Sequence, residues 1–269
     1  HELIEVIFVD DGSEDETLSI IKSYAPRMDM HVKVFHQEWK GLGATRNVVV
    51  KNASGKYIVW VDGDMVLSKD YVKEQVGFME QHSEVGIAKG KQALESGGNL
   101  LATLETYSRA AGRMVDYSSE KARLKSMGTG GCIYRAKAIK QVSGFDQNIR
   151  GYGEDLDAEC RIRKAGWLLC TTDVQFRDYE RRRLTWENLW RRYVQRGYDM
   201  HNFLRKNKGM LNLYKMLPPA AFLAGLFHSV SIYKLTHRKV ALLLPLQYVF
   251  KMTAWCLGFI RSSLDSIRI

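Results

Sequence analysis

The feature that most constrains this chain is a pair of short, unbroken apolar runs that each stop at aspartates. Glu5-Val6-Ile7-Phe8-Val9 ends at Asp10-Asp11-Gly12-Ser13, and Tyr57-Ile58-Val59-Trp60-Val61 ends at Asp62-Gly63-Asp64. Apolarity without alternation suits a strand buried on both faces, as in a parallel sheet covered by helices. After the first run, Ser13 and Glu16 form a capping box, and Leu18, Ile21 and Ala25 recur at helical spacing. Val32 to Phe35 reads as a second strand, and residues 43–53 as a helix closed by Ser54-Gly55. Beyond the second aspartate turn, Ser68 is positioned to cap a helix whose apolar face carries Val72, Val76 and Met79. Strands alternating with helices at this spacing predict the α/β class, with a mostly parallel sheet flanked by helices.

Further along, the spacing predicts an amphipathic helix over residues 99–117. The cluster Gly128-Thr129-Gly130-Gly131 then leads into a strand, Cys132-Ile133-Tyr134, and Gly151-Tyr152-Gly153 precedes a helix running from near Glu154 to before Gly166. From residue 180 the composition changes: Arg181 to Arg183, Arg191 and Arg192 interleave with Trp186, Trp190 and Tyr193. Two apolar stretches follow, 216–233 and 240–260, separated by a basic linker from Lys234 to Lys239. Each approaches the ~20 residues that cross a bilayer. Pro218, Pro219 and His228 interrupt the first, and Pro245, Gln247 and Lys251 the second. A spanning hairpin would put the basic linker on the far side, against the positive-inside tendency, so an interfacial position fits better. The expected organisation is a catalytic α/β domain over 1–179, basic amphipathic helices over 180–215, and a helical membrane-associating region over 216–269.

The formal charge of +10, from 40 Lys plus Arg against 30 Asp plus Glu, suits an anionic partner. A nucleotide diphosphate, a nucleic acid and an acidic membrane all qualify, and charge does not choose among them. The four cysteines form no C-x-x-C pair, which predicts reduced thiols and a cytosolic setting. The chain opens at His1, without a leader segment or an initiator Met, and reads as a fragment.

In open parallel sheets, ligands bind beyond the carboxyl ends of the strands, and here those ends carry Asp10-Asp11 and Asp62-Gly63-Asp64. Carboxylates gathered at one edge repel unless a cation or hydrogen-bond donors offset the repulsion. Hard oxygen ligands suit Mg²⁺ or Mn²⁺ held jointly by carboxylates and substrate phosphates. Either acidic turn alone is ordinary turn chemistry; the pair, both at strand ends, is not. Gly41-Leu42-Gly43-Ala44-Thr45-Arg46-Asn47 opens a helix with an Arg one turn in, where it can meet an anion, but lacks the third glycine of the dinucleotide fingerprint.

Taken in order, Val9-Asp10-Asp11-Gly12-Ser13 with Asp15 and Thr17, then the Gly41 to Asn47 segment, Gly55, and Val61-Asp62-Gly63-Asp64 resemble family 2 glycosyltransferases of the GT-A fold, over roughly residues 4–200. The resemblance implies that Asp10, Asp11, Gly12 and Ser13 hold the nucleoside of a nucleotide-sugar donor and that Arg46 lines the donor site. It implies that Asp62 and Asp64 form the D-x-D element, with Asp64 the direct ligand of Mg²⁺ or Mn²⁺. Gly153-Glu154-Asp155 resembles the family's Glu-Asp pair, in which Asp155 is the general base and Glu154 its neighbour. Asp155 stands in a first helical turn, where negative charge is favoured, and a base must take the proton of the attacking hydroxyl. Arg191 or Arg192, on the basic helix, would neutralise the leaving diphosphate.

Two departures from the family pattern matter. The stretch Phe176-Arg177-Asp178-Tyr179-Glu180 carries no His at the position where many relatives have a metal ligand, so a third ligand stays unassigned. The Q-x-x-R-W signature of processive synthases is absent, because Gln195 is followed by Arg196-Gly197-Tyr198. The expectation is therefore an inverting transferase that moves one sugar from a UDP- or GDP-sugar to a lipid-linked or saccharide acceptor at the cytoplasmic membrane face, with no nucleic-acid partner. A sugar-nucleotide nucleotidyltransferase shares the strand–acid layout. A non-catalytic basic module would need no paired carboxylates, and its binding would fall steeply with salt.

Overall fold

A computed structural model describes residues 4–95, 97–110, 126–149, 151–178, 184–207 and 213–267. Arg181 to Arg183, and residues 111–117 of the expected amphipathic helix, lie outside the described residues. The chain divides into two compact units built from non-contiguous segments. The first comprises His1–Trp60, Gln75–Lys89 and Lys125–Cys170, and the second Val61–Glu74, Gly90–Leu124 and Thr171–Ile269.

In the first unit, strand β1 (Glu5–Asp11) pairs in parallel with β2 (His31–Gln37), with helix α1 (Thr17–Tyr24) between them in sequence. The expected capping box does not form. The Ser13 amide donates to the Asp10 carboxylate instead (3.4 Å), and Asp15 caps the Thr17 amide (3.0 Å), so α1 starts later. Helix α2 (Leu42–Asn52) follows β2 and leads to strand β3 (Tyr57–Trp60). Strand β6 (Cys132–Arg135) is antiparallel to β3 and to the first half of β5 (Val85–Gln92). β3 and β5 therefore run the same way on either side of β6, with Trp60, Cys132 and Lys89 in one row. The sheet is thus more mixed in direction than the apolar runs suggested, because an apolar run reads the same in either direction.

Met79, Val85, Ala88 and Ile133 form a buried core that Val76, Tyr57 and Val59 complete. Met79 and Val76 come from α3 (Tyr71–Gln81), which starts three residues past Ser68, where the Tyr71 amide donates to the Ser68 carbonyl (3.0 Å). Arg135 is buried and donates to the carbonyls of Met79, His82 and Val85, each at 2.9 Å, satisfying the end of α3. Helix α5 (Ala136–Gln141) follows β6, and α6 (Glu154–Lys164) comes next. Glu154, Asp155 and Asp157 occupy the first turn of α6 and Arg161, Arg163 and Lys164 the last, the arrangement the helix dipole favours.

In the second unit, β4 (Met65–Leu67) pairs antiparallel with β7 (Leu168–Asp178). Helices α4 (Leu100–Ala110), α7 (Trp186–Lys206), α8 (Pro218–Thr236) and α9 (Leu244–Ile267) make up most of the rest. Leu104, Tyr107 and Ala110 of α4 pack with Ile232, Ala241 and Leu244. Thr185 caps α7 by accepting from the Asn188 amide (3.1 Å). α7 and α9 cross where Gly197 and Gly258 lack side chains. A Cβ on Gly197 would lie 1.9 Å from the Trp255 carbonyl oxygen, and one on Gly258 would lie 1.9 Å from that of Val194. The four cysteines are free thiols, as expected.

Candidate active site

The parallel register of β1 and β2 sets Asp10 opposite His36 and Asp11 opposite Gln37. Asp10 is buried, and its Oδ2 lies 2.7 Å from His36 Nδ1. Hydrogen bonding from Ser13, helped by His36, holds the Asp10 carboxyl below the usual carboxylate range although burial pushes the other way. Asp11 accepts from Gln37 Nε2 (2.6 Å), the Lys40 amide (3.0 Å) and the Gly41 amide (3.0 Å), tying the end of β1 to the loop that opens α2. Gly12 has φ +78°, and a Cβ there would meet the Trp39 amide nitrogen at 2.7 Å, so only glycine fits this turn.

Arg46, in the first half of α2, forms an ion pair with Glu154 at the start of α6. Its guanidinium also lies 5.6 Å from the Phe145 ring centroid, and Phe145 packs edge-on against Trp60 at 5.7 Å. Glu154 is buried, and its Oε2 has no hydrogen-bond partner among the described residues. Burial first, then the neighbouring Asp155, pushes the Glu154 carboxyl up to about 7 against the pull of Arg46. Such an acid, buried and displaced by a neighbouring charge, marks a candidate for chemistry.

Asp155 is half-buried, and its Oδ1 accepts from the Leu156 amide at 2.7 Å. Its Oδ2 faces the bare side of Gly128: a Cβ on that glycine would lie 3.6 Å from Asp155 Oδ2 and 3.6 Å from Lys89 Nζ. The turn carrying Gly128 is gripped from both sides. Glu159, one helical turn beyond Asp155, accepts from the amides of Met127 (3.0 Å) and Gly128 (3.0 Å) and from the Ser126 hydroxyl (3.2 Å). Lys89 donates to the carbonyls of Met127 and Gly128. Burial, followed by Asp155, pushes the Glu159 carboxyl up to about 8, even though the Met127 amide and Lys89 pull it down. Tyr134 lies fully buried beside this cluster, and burial raises its hydroxyl well above the ordinary range.

Glu159 and Lys89 are absent from the residues singled out in the sequence. The only sequence signal for Glu159 is its spacing of four from Asp155 on one helix face. A hollow of about 780 Å³ elsewhere in the first unit is lined by Glu84, Lys140 and Trp167 and includes none of these residues.

In the second unit, Asp62, Gly63 and Asp64 form the turn before β4, fixed by the Met65 amide donating to the Asp62 carbonyl (2.9 Å). Asp62 is exposed and Asp64 half-buried, and the space around a Cβ on Gly63 is open. Among the described residues, no three His, Cys, Asp or Glu side chains gather as a ligand set. Two carboxylates spaced by one residue on a solvent-facing turn still fit a hard divalent ion that completes its shell with phosphate oxygens and water. The β4–β7 register sets Asp178 opposite Met65, the residue after Asp64. Arg192 is half-buried on α7.

The family model described as Glycosyl transferase family 2 matches residues 1–142. The poly(ribitol-phosphate) beta-N-acetylglucosaminyltransferase TarS of Staphylococcus aureus is 36% identical over 88 residues, which are 32% of this chain and 15% of TarS. The glycosyltransferase GlyA of Streptococcus pneumoniae is 40% identical over 70 residues, 26% of this chain and 10% of GlyA. The chain thus spans a small part of either relative. The mannosyltransferase PcManGT of Pyrobaculum calidifontis, solved with GDP-Man and Mn²⁺, superposes with a TM-score of 0.64 at 16% identity, covering 97% of this chain and 78% of that one. That likeness is one of fold, and the fold is GT-A.

Proposed function

The chain belongs to glycosyl transferase family 2, and on that premise we propose that it moves a single sugar, with inversion, from a UDP- or GDP-sugar to a lipid-linked or polysaccharide acceptor. The observation that carries this reading is the carboxylate cluster of the first unit. Asp155 and Glu154 begin α6, with Arg46 paired to Glu154 and a side-chain-free glycine facing Asp155 Oδ2. Asp155 takes the proton from the acceptor hydroxyl as that oxygen attacks the anomeric carbon. The bare side of Gly128 leaves room for the attacking group next to Oδ2. Glu154 is the positioning neighbour, held by Arg46. Asp10 and Asp11, with Gly12 and Ser13, bind the nucleoside, and Arg192 meets the leaving diphosphate.

Asp64, with Asp62, would hold Mg²⁺ or Mn²⁺, which supplies positive charge against the departing diphosphate. PcManGT carries GDP-Man and Mn²⁺ in its solved complex, which supports a nucleotide-sugar donor and a divalent ion here. The poly(ribitol-phosphate) in the name of TarS supports a polymer acceptor, and the C-terminal helix long and apolar enough to cross a membrane supports work at a membrane surface, which we take to be the cytoplasmic face. The test is Asp155→Asn: the variant should keep donor binding and lose transfer. Normal turnover by it would overturn the assignment of the base.

A further inference from the structure

Helices α8 and α9 are built inside out. The buried face of α8 is made of Ala221, Gly225, Ser229 and Ile232, three and four residues apart. Its opposite face presents Leu223, Phe227 and Val230, which are 66%, 67% and 52% exposed. On α9 the buried face includes Gln247, Lys251 and Ser262, while Leu246, Leu257, Ile260 and Leu264 point outward, each at least half exposed. A helix that meets water does the reverse, with its polar groups out and its large apolar groups in. Large apolar side chains exposed in stripes along both helices mark a partner.

The charges say which partner. Residues 213–267 carry six Lys or Arg and a single acid, Asp265. Lys215, Lys234, Arg238, Lys239 and Arg261 are exposed. An apolar face flanked by exposed cations complements an anionic lipid surface.

α9 is long and apolar enough to cross a bilayer, but its inner face is fastened by polar contacts to α4 and α7. Lys251 pairs with Glu105 of α4 at 3.0 Å, and Gln247 Nε2 donates to the same carboxylate at 3.1 Å. Toward its end, Ser262 Oγ lies 3.0 Å from His201 Nδ1 of α7. α7 also carries the exposed pair Arg191–Glu187. Crossing with α7 attached would bring that exposed pair toward hydrocarbon, which is strongly unfavourable.

We infer that the outward face of α8 and α9 is an in-plane docking surface for an anionic bilayer, inserted to side-chain depth without spanning. The inference deepens the membrane-surface reading proposed above and rests on it. The test is co-sedimentation of the full chain with vesicles of phosphatidylcholine alone and of phosphatidylcholine mixed with phosphatidylglycerol. Wild type should bind the mixed vesicles more tightly.

Leu223→Glu with Phe227→Glu should weaken binding to both vesicle types by at least about tenfold. Arg238→Gln with Lys239→Gln should weaken binding to mixed vesicles by about thirtyfold at low salt and leave neutral vesicles little affected. Both variants replace exposed residues, so folding should survive, and circular dichroism checks that. Each should also keep any donor-induced thermal shift of wild type, which separates failure of this surface from failure of the transferase reading. Folded wild type that stays in the supernatant with mixed vesicles would overturn the inference. So would a stable dimer that the Leu223 and Phe227 changes convert to monomer, because a second copy would then cover the face. Retention on vesicles through an alkaline carbonate wash would indicate a span and overturn the in-plane placement.

Discussion

Replacing Glu159 by Gln should make the protein more stable at high pH and leave it little changed at low pH. The amide keeps one oxygen in the place of Glu159 Oε1, which in wild type accepts from the amides of Met127 (3.1 Å) and Gly128 (3.0 Å), and it removes the titrating proton. Glu159 in the fold titrates at about 8 against an ordinary 4.5, because burial and Asp155 disfavour its charge. The folded form therefore holds the proton to higher pH than the unfolded chain does. The associated stability is fully present below about 4.5 and is lost as pH rises through about 8. Between pH 5 and pH 9 wild type should lose up to about 4 kcal/mol that the variant keeps. Glu154 titrates in both proteins, so its contribution cancels in the comparison. For a chain of this length the difference amounts to roughly ten degrees in Tm. The assay is thermal unfolding of both proteins across that range. A Tm difference that does not change with pH would mean that Glu159 carries its charge in the fold at little cost, contrary to this burial effect.

Two further substitutions test the packing of the two units separately. Arg46→Met strands the buried Glu154 carboxylate and should cost about 3 kcal/mol at pH 8 but distinctly less at pH 5, where Glu154 is protonated; equal urea midpoint shifts at the two pH values would contradict the pairing. Gly197→Ala puts a Cβ 1.9 Å from the Trp255 carbonyl and should cost at least about 3 kcal/mol by forcing α7 from α9. A urea midpoint unchanged from wild type would show that the crossing is looser than described.

Much of the first unit was legible because its signals are local. The apolar runs at 5–9 and 57–61 became β1 and β3, and the Gly153-Glu154-Asp155 turn begins α6 within a residue of expectation. What was not legible depends on pairings distant in sequence. Ser13 looked like a helix cap, but the buried Asp10 carboxylate takes its amide. His36 reaches Asp10 only because β2 lies beside β1 in parallel register. Glu159 gains its place from amides at Met127 and Gly128, across an intervening strand and helix, and a glutamate in mid-helix announces none of that. Lys251 looked like a flaw in an apolar stretch, yet it is the buried partner of Glu105, a residue 146 positions away.

We propose that a nucleotide-sugar donor binds through a divalent ion held by Asp64. Thermal shift of wild type with UDP-, GDP- and dTDP-sugars, each with and without Mn²⁺, tests it most directly when repeated on Asp64→Ala. One donor class should raise Tm by several degrees at saturating concentration, only with the metal and only in wild type. A shift that persists undiminished in Asp64→Ala, or no shift with any donor and metal, would contradict it.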